Sequence, residues 1–186
     1  MNFLSAQTRC LAMLALFITS AWTHAQAPAD TPASLQRTEM KKLDFLVGEW
    51  KGESSIVIGT EKRRSNVSEK IEKRLNGLAL IIEGVGSVKQ PDGGERIVHH
   101  ALAMVNYDES TQKYRFMSQI DKGYFTNADA TIEDGAFCWR LKNAQMGDVR
   151  YQIRLTADGK WSETGEYSRD GKNWTPFFES LLTKVR

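Results

Sequence analysis

The sequence predicts an all-β fold, a single antiparallel up-and-down barrel of about ten strands preceded by a short helix. The first observation is a series of Asx-Gly pairs, because such pairs supply the positive φ angles of tight hairpin turns. The second is that the segments between turns run roughly 8–13 residues, a spacing typical of sandwiches and barrels. The pairs are Asn76-Gly77, Asp92-Gly93, Asp134-Gly135, Asp158-Gly159 and Asp170-Gly171.

Alternation of apolar and polar side chains supports strands between these turns. In segment 148–156, Val149, Tyr151 and Ile153 point one way and the residues between them point the other. This is the period of a strand with one buried face. Segment 113–121 shows the same alternation, so both segments are predicted to be strands.

One segment, 65–75, is ambiguous. Its residues Val67, Ile71 and Leu75 are spaced by four, which fits a strand face or a helix stripe. The Asx-Gly pair that follows favours a strand. With this choice, strands are predicted near 49–58, 65–75, 78–89, 95–107, 113–121, 124–132, 136–142, 148–156, 160–168 and 174–185.

Closure of the sheet is the step that leads from fold to function. A long antiparallel meander has two edges, and closing into a barrel pairs them. Barrels of eight or more strands leave an interior wide enough for one small ligand. A flat sandwich of the same strands is the alternative, since strand spacing does not report closure.

The first 27 residues have the layout of an export signal. Arg9 lies in a polar start, an apolar run spans 11–18, and small residues end at Ala27. We therefore expect residues 1–27 to be a cleaved signal peptide and the protein to be periplasmic or secreted. Because a membrane span takes roughly 20 apolar residues, no membrane span is expected.

Removing the first 27 of 186 residues leaves 159, which suffices for one domain with its own core. Residues 28–34 are expected to form a flexible tail and residues 35–186 the β-barrel domain. A short helix is expected from Ser34, which can cap it, to about Asp44.

Charge and cysteine content exclude several partner classes. The formal net charge is +2, and charges of both signs are interleaved along the chain, so no nucleic-acid partner is expected. The mixed-charge runs 61–64 and 69–74 are interpreted as solvated faces. Cys138 is the one cysteine beyond the signal, so no intramolecular disulfide is expected. Because it lies between Phe137 and Trp139, we expect a buried apolar residue and not a nucleophile.

Several short motifs occur in order along the whole mature chain. They are Leu43-Asp-Phe-Leu-Val-Gly-Glu-Trp-Lys-Gly52, Asn76-Gly-Leu78, His100 eight residues before Asp108, Lys113-Tyr114, Trp161-Ser-Glu-Thr-Gly-Glu166, Ser168-Arg-Asp-Gly171 and Trp174. The set resembles the secreted bacterial calycin-type, lipocalin-like family of unknown function. The resemblance implies a closed calycin-like barrel with an internal cavity, and it carries no established chemistry.

The Gly48-x-Trp-x-Gly52 element is more distantly similar to the first strand of nitrobindin, a haem-binding calycin barrel. That family has a third glycine where this chain has Ser54, and its axial histidine lies late in the chain, whereas none follows His100 here. These departures argue against haem, and no other cofactor is expected. His99 and His100 are strand neighbours, so at most one of them reaches the lumen and they form no paired metal site.

Six residues are candidates for contacting a ligand in the lumen. Trp50 is expected to close the barrel floor. His100 and Glu166 are expected to orient a ligand's polar head, with Glu163 and Glu179 as further carboxylates whose pKa burial would shift. The candidates are Trp50, His100, Tyr114, Phe116, Trp161 and Glu166. No catalytic residue is assigned, because the chain lacks a nucleophile elbow, a zinc-binding pair and a phosphate-binding loop.

The expected function is binding: an exported, non-enzymatic barrel that holds a small apolar molecule in its aromatic-lined interior. Two alternatives stay open. The first is a haem-binding or cofactor-free isomerase or hydrolase of nitrobindin type. The second is a structural or interaction protein of the envelope, which would use the outer face of the barrel while the lumen is a packed core. The sequence leaves the oligomeric state open.

Overall fold

The structure is a computed structural model that describes residues 32–186. The predicted signal, residues 1–27, lies outside this range. Within it, one α-helix is followed by ten antiparallel strands. The elements are α1 Pro32–Lys41, the 3-10 turns Asp44–Leu46 and Leu75–Gly77, and the strands β1 Gly48–Ile58, β2 Glu61–Arg74, β3 Ala79–Lys89, β4 Glu95–Asp108, β5 Lys113–Ile120, β6 Phe125–Glu133, β7 Ala136–Asn143, β8 Gly147–Leu155, β9 Trp161–Ser168 and β10 Thr175–Lys184.

The sheet closes into a barrel. Each strand pairs with its neighbours in the chain, and β1 pairs with β10, from Trp50 opposite Lys184 to Ile56 opposite Phe178. The predicted all-β up-and-down barrel is therefore confirmed, and the flat sandwich is excluded. Closure leaves no free sheet edge, which explains how such a long meander stays protected from edge pairing.

The ambiguous segment 65–75 is a strand, as the turn signal favoured. Val67 pairs with Gly52 of β1 and packs on the inner core, and Ile71 is buried beside it. The third residue, Leu75, is not on the strand face, because it begins the turn with φ 53. The spacing of four thus reflects two inward residues and one turn residue.

Helix α1 covers one end of the barrel. It begins at Pro32, two residues before the predicted cap, and proline fits a first helical turn because its missing N–H would have no partner there. The hydroxyl of Tyr114 donates to the Glu39 carbonyl at 3.0 Å, and Arg37 Nε donates to the Asn76 carbonyl at 3.2 Å. No helix within residues 32–186 has both the length and the apolar character to cross a membrane.

The core fills the half of the barrel next to α1. Trp50 lies at this floor, where its indole Nε1 donates to the Leu46 carbonyl at 2.8 Å and its ring lies 5.8 Å from that of Trp161. The residues of this core are Met40, Leu43, Leu46, Trp50, Ile71, Leu80, Ile82, Ala103, Val105, Tyr107, Tyr114, Ala128, Ala130, Phe137, Trp139, Ile153, Trp161 and Leu182. The floor of the barrel is therefore closed by packing.

The other half of the barrel is more open. Several residues of this half face inward and still keep accessible surface. They include Val67, Phe116, Ser118, Tyr151 and Tyr167. Inward positions are taken by glycine at Gly84 and Gly165, which add no side-chain volume. The barrel is thus a cup with a packed floor near α1 and a mouth at the opposite end.

Cys138 is buried, as the sequence predicted. Its side chain is 2% exposed, and its thiol donates to the Ala136 carbonyl at 3.6 Å. Burial raises the pKa of this thiol, which disfavours the nucleophilic thiolate.

Candidate binding site

Two glutamates face the lumen above the tryptophan floor. Glu69 of β2 is the cross-strand partner of Trp50, and it shares the inner face of β2 with Val67 and Ile71. Glu163 of β9 lies two residues after Trp161, on the same face. Strand alternation therefore directs both carboxylates into the cup.

Room for the Glu69 carboxylate comes from a glycine on the next strand. Gly84 of β3 is the partner of Glu69, and a Cβ added there would come within 2.6 Å of Glu69 Oε1. Any side chain at this position would displace the carboxylate. Gly165 has a similar role on β9, since a Cβ there would meet Tyr151 Cε1 at 2.8 Å.

Burial strongly shifts both carboxyl groups. It raises the pKa of Glu163 to about 7, although the indole N–H of Trp161 faces this carboxylate and partly offsets the rise. Burial, together with the negative charge of Glu163, raises the pKa of Glu69 to about 8. Because each negative charge disfavours the other, the pair holds at least part of a proton at neutral pH.

The pair has no cationic partner within residues 32–186. Neither Glu69 nor Glu163 forms an ion pair with a lysine, arginine or histidine of this range. Both residues nevertheless keep some accessible surface. Protein surrounds both side chains and removes most of their contact with bulk water, yet each keeps some accessible surface. We infer that they border an internal space. The pair therefore lines the cup and is not packed inside the core.

Two polar groups without hydrogen-bond partners among residues 32–186 lie beside Glu163. Ser180 of β10 is the cross-strand partner of Glu163 and of Ser54, and its Oγ makes no hydrogen bond within residues 32–186. The indole Nε1 of Trp161 likewise makes none of normal geometry. Ser54 Oγ lies 2.9 Å from Ser65 Oγ. A row of hydroxyls therefore runs across β2, β1 and β10 to the Glu163 carboxylate.

Aromatic side chains form a continuous wall beside this polar floor. The Trp139 ring stacks on Phe116 at 4.6 Å and on Tyr151 at 5.0 Å between centroids. Phe177 and Phe178 continue the wall, at 5.8 Å and 6.1 Å from the Tyr151 ring. Burial and the charge of Glu163 raise the pKa of the Tyr151 phenol, which therefore stays a neutral hydrogen-bond donor. The cup combines an aromatic wall with the carboxyl groups of Glu69 and Glu163 above the tryptophan floor.

The structure places four of the six candidates on the inner side of the barrel. Trp50 and Trp161 form the floor, Phe116 belongs to the aromatic wall, and Tyr114 lies in the core beside α1. Burial leaves Trp50 and Trp161 only 1% exposed each. These two rings therefore support the site from below.

His100 lies on the outer face, so the expectation that it faces the lumen is corrected. Its Nε2 lies 3.0 Å from Oε1 of Glu83, which is also outward. The inward imidazole is His99, which shares a face with Ala101 and Ala103 and lies towards the mouth. Burial lowers the pKa of His99. The sequence did not distinguish the two, because β4 carries apolar residues on both faces.

Glu166 also lies on the outer face and not in the cup. Arg150 Nε donates to its Oε2 at 2.7 Å, and the Arg150 guanidinium lies 4.1 Å from the centroid of the Trp174 ring. Glu179 is outward too, paired with Lys62 at 2.6 Å. The carboxylates of the lumen are Glu163, which was considered from sequence, and Glu69, which was not.

The barrel wall opens between β6 and β7. These strands pair only from Ala130 opposite Trp139 to Glu133 opposite Ala136, and beyond that they diverge. A cleft of about 750 Å³ follows, lined by inward and outward residues: Arg115, Phe125, Thr126, Asn127, Ala128, Asp129, Arg140, Leu141, Lys142, Asp148, Val149, Gly171 and Trp174. Because residues of both faces line it, the cleft is a gap in the wall and a side opening of the barrel.

No protein-family model matches the chain, and no curated protein matches it. The closed ten-stranded antiparallel barrel is consistent with a calycin-like fold. The resemblance to the calycin-type family depends on the ordered motifs alone. The residues that line the lumen are therefore the evidence for function.

Proposed function

We propose that the protein is a non-enzymatic binding protein that holds a small, largely apolar molecule in the lumen of the barrel. The observation that carries the proposal is the aromatic wall beside the buried Trp139 ring, in which Phe116, Tyr151 and Phe178 face inward and keep accessible surface above a closed floor. Apolar surface that can be covered only by a molecule inside the cup favours an apolar ligand.

The binding mechanism is exclusion of water from the aromatic wall. Each Å² of apolar surface removed from water contributes about 25 cal/mol, so a ligand body lying against Phe116, Tyr151 and Phe178 gains affinity in proportion to the area it covers. The Tyr151 phenol and the floor carboxylates supply polar partners that fix its orientation. The layout of residues 1–27 supports export, and we place the protein in the periplasm or outside the cell.

A cofactor-free isomerase or hydrolase is the second candidate, and one observation favours it. The pKa of Glu163 is raised to about 7, and a carboxyl group with such a pKa transfers protons efficiently near neutral pH. Small molecules extracted from gently purified protein are returned to it in D₂O enriched in ¹⁸O, which distinguishes the two candidates. Deuterium or ¹⁸O that enters a molecule with the wild type but not with Glu163→Gln supports the enzyme, and no incorporation supports binding alone.

The binding proposal is tested with N-phenyl-1-naphthylamine, a neutral apolar probe whose fluorescence rises in apolar surroundings. Ala101 and Leu102 are neighbours on β4 that face inward and outward. Ala101→Trp fills the lumen, whereas Leu102→Trp adds the same ring to the outer surface, where Leu102 is 55% exposed. We expect the wild type and Leu102→Trp to bind the probe and Ala101→Trp to lose it. Equal binding by all three proteins contradicts a lumen site.

A further inference from the structure

We propose that the Glu69–Glu163 pair binds the cationic amine head of the molecule held in the lumen. This inference rests on the proposed lumen binding and specifies the class of ligand. It predicts an amphiphilic amine: an aromatic or aliphatic body along the wall and a protonated nitrogen at the floor.

The two carboxylates at the floor have no positive partner in the described part of the chain. Glu69 and Glu163 face the same space, and no lysine, arginine or histidine among residues 32–186 forms an ion pair with either of them. Lys184 lies at the floor, with its Nζ 5.3 Å from the centroid of the Trp50 ring, but it makes no such pair. Burying a carboxylate costs free energy of folding unless a positive group lies beside it. In this site a ligand's ammonium is the positive group.

A buried hydroxyl without a hydrogen-bond partner among residues 32–186 lies beside the pair. Ser180 is 5% exposed, its Oγ makes no hydrogen bond within residues 32–186, and it lies directly across from Glu163. A primary ammonium has three N–H donors. Glu69, Glu163 and Ser180 Oγ offer three acceptors on the inner face of the barrel, with Ser180 directly across from Glu163 and the charge of Glu163 acting on Glu69. The number and kind of free acceptors therefore match an ammonium group.

Two tryptophan rings lie next to the carboxylates. The rings of Trp50 and Trp161 are 5.8 Å apart and tilted by 59°. Trp50 is the cross-strand partner of Glu69, and Trp161 lies two residues before Glu163 on the same face of β9. Tryptophan attracts a cation through its ring quadrupole, and most strongly where water is excluded. The indole N–H of Trp161 faces the Glu163 carboxylate and partly offsets the rise of its pKa, but it supplies no positive charge.

The perturbed carboxyl groups support the same assignment. Burial raises the pKa of both glutamates, which means that the pair prefers to hold a proton when no other positive group is near it. An ammonium that binds there replaces the proton as the positive partner, and the proton leaves to solvent. An anionic head would be repelled by the pair, and a neutral apolar head would leave the carboxylates without compensation.

The test compares two probes that differ only in their head group. 1-Naphthylmethylamine carries a positive charge at neutral pH, whereas 1-naphthalenemethanol keeps the ring and replaces the ammonium with a hydroxyl. Calorimetric titration of the wild-type protein is expected to show the amine binding roughly tenfold tighter or more, the scale of a hydrogen bond to a charged group. Glu69→Gln and Glu163→Gln are each expected to abolish this preference, because the loss of the negative charge weakens binding of the amine much more than binding of the alcohol.

Matched controls locate the effect. Glu83→Gln removes a glutamate from the outer face of β3, one residue from Gly84, and is expected to keep the preference for the amine. Ser180→Ala removes one acceptor without removing a charge, and it is expected to reduce the preference. This variant keeps the inference testable if a glutamine variant fails to fold.

The possible outcomes separate the two proposals. A preference for the amine that persists in Glu69→Gln, Glu163→Gln and Ser180→Ala overturns the head assignment. Equal binding of amine and alcohol by the wild type, with both lost in Ala101→Trp, also overturns it and leaves lumen binding intact. If neither probe binds the wild type, lumen binding is contradicted, and the head assignment fails with it.

Discussion

Glu163 raises the pKa of Glu69 across the lumen, although β2 and β9 are separated along the barrel wall by β1 and β10. The two carboxylates meet only because the sheet is closed. A flat sheet with the same strands would leave them far apart on one surface. The chemistry of the floor is thus a property of the closed barrel and not of either strand.

Stability is expected to fall as pH rises through the neutral range. Both glutamates have folded-state pKa values, about 8 for Glu69 and about 7 for Glu163, above the ordinary 4.5. The folded state therefore binds more protons than the unfolded state between about pH 4.5 and 8, and the free energy of unfolding decreases over that window. Urea unfolding at a series of pH values from 6.5 to 8 measures this slope.

Glutamine variants provide the control for that slope. Glu69→Gln and Glu163→Gln cannot ionise at these positions, so each is expected to flatten the decline and to be more stable than the wild type at pH 8. The range starts at pH 6.5 because the lowered pKa of His99 acts in the opposite direction below that value. An unchanged slope in both variants would show that other groups cause the decline.

Gly52→Ala is expected to destabilise the barrel. A Cβ at Gly52 would lie 2.9 Å from the Cα of Leu182 on β10, and backbone there cannot move aside without breaking the β1–β10 pairing. We expect a loss of about 1–3 kcal/mol in the free energy of unfolding, measured by urea denaturation. Gly86→Ala is the matched control, because its Cβ would lie 3.3 Å from the His99 side chain. A smaller loss in Gly52→Ala than in Gly86→Ala would contradict this account.

Trp50→Phe is expected to lower stability through one hydrogen bond and reduced packing. Phenylalanine removes the Nε1 donor and leaves the buried Leu46 carbonyl without it, which costs about 1–3 kcal/mol. Thermal unfolding compares this variant with Trp174→Phe, which changes a half-buried ring on the outer face. Similar shifts in Tm for the two variants would argue against a special role of Trp50 at the floor.

Two outward residues are expected to be dispensable for binding. Glu166 pairs with Arg150, and His100 lies beside Glu83, all on the outside of the barrel. Glu166→Gln and His100→Ala should therefore bind N-phenyl-1-naphthylamine as the wild type does. Loss of the contact between His100 and Glu83, whose side chains are both exposed, is expected to change stability by less than about 1 kcal/mol. Weakened probe binding in either variant would show that the outer face contributes to the site.

The fold was predictable because turn chemistry and alternation are local. Asn76-Gly77 and Asp158-Gly159 mark real turns with positive φ at their glycines, and alternation in β8 correctly groups Tyr151 with Ile153 on one face, which is the inner one. Such signals depend on a few adjacent residues. Strand number and order follow from them, whereas closure is shown only by the pairing of β1 with β10.

The site was less predictable because neighbouring residues in the sequence do not determine which face of a strand points into the barrel. β4 has apolar residues on both faces, with Leu102 outward and Ala103 inward, so its pattern did not show which histidine enters the lumen. Glu69 begins a run of mixed charge, which favoured a solvated face. Its burial depends on Gly84 of another strand making room for the carboxylate. Only the register between β2 and β3 shows this relation.

The short pairing between β6 and β7 has a consequence for motion. Only four residue pairs join these strands, from Ala130–Trp139 to Glu133–Ala136, whereas β1 and β2 are joined along their whole length. Fewer cross-strand hydrogen bonds must break there for the wall to separate, so this seam is the least costly place for local opening. Backbone amides of β6 before Ala130 that point towards β7 should exchange with deuterium earlier than those pointing towards β5. A bulky molecule would then pass sideways through the wall while the floor around Trp50 stays intact.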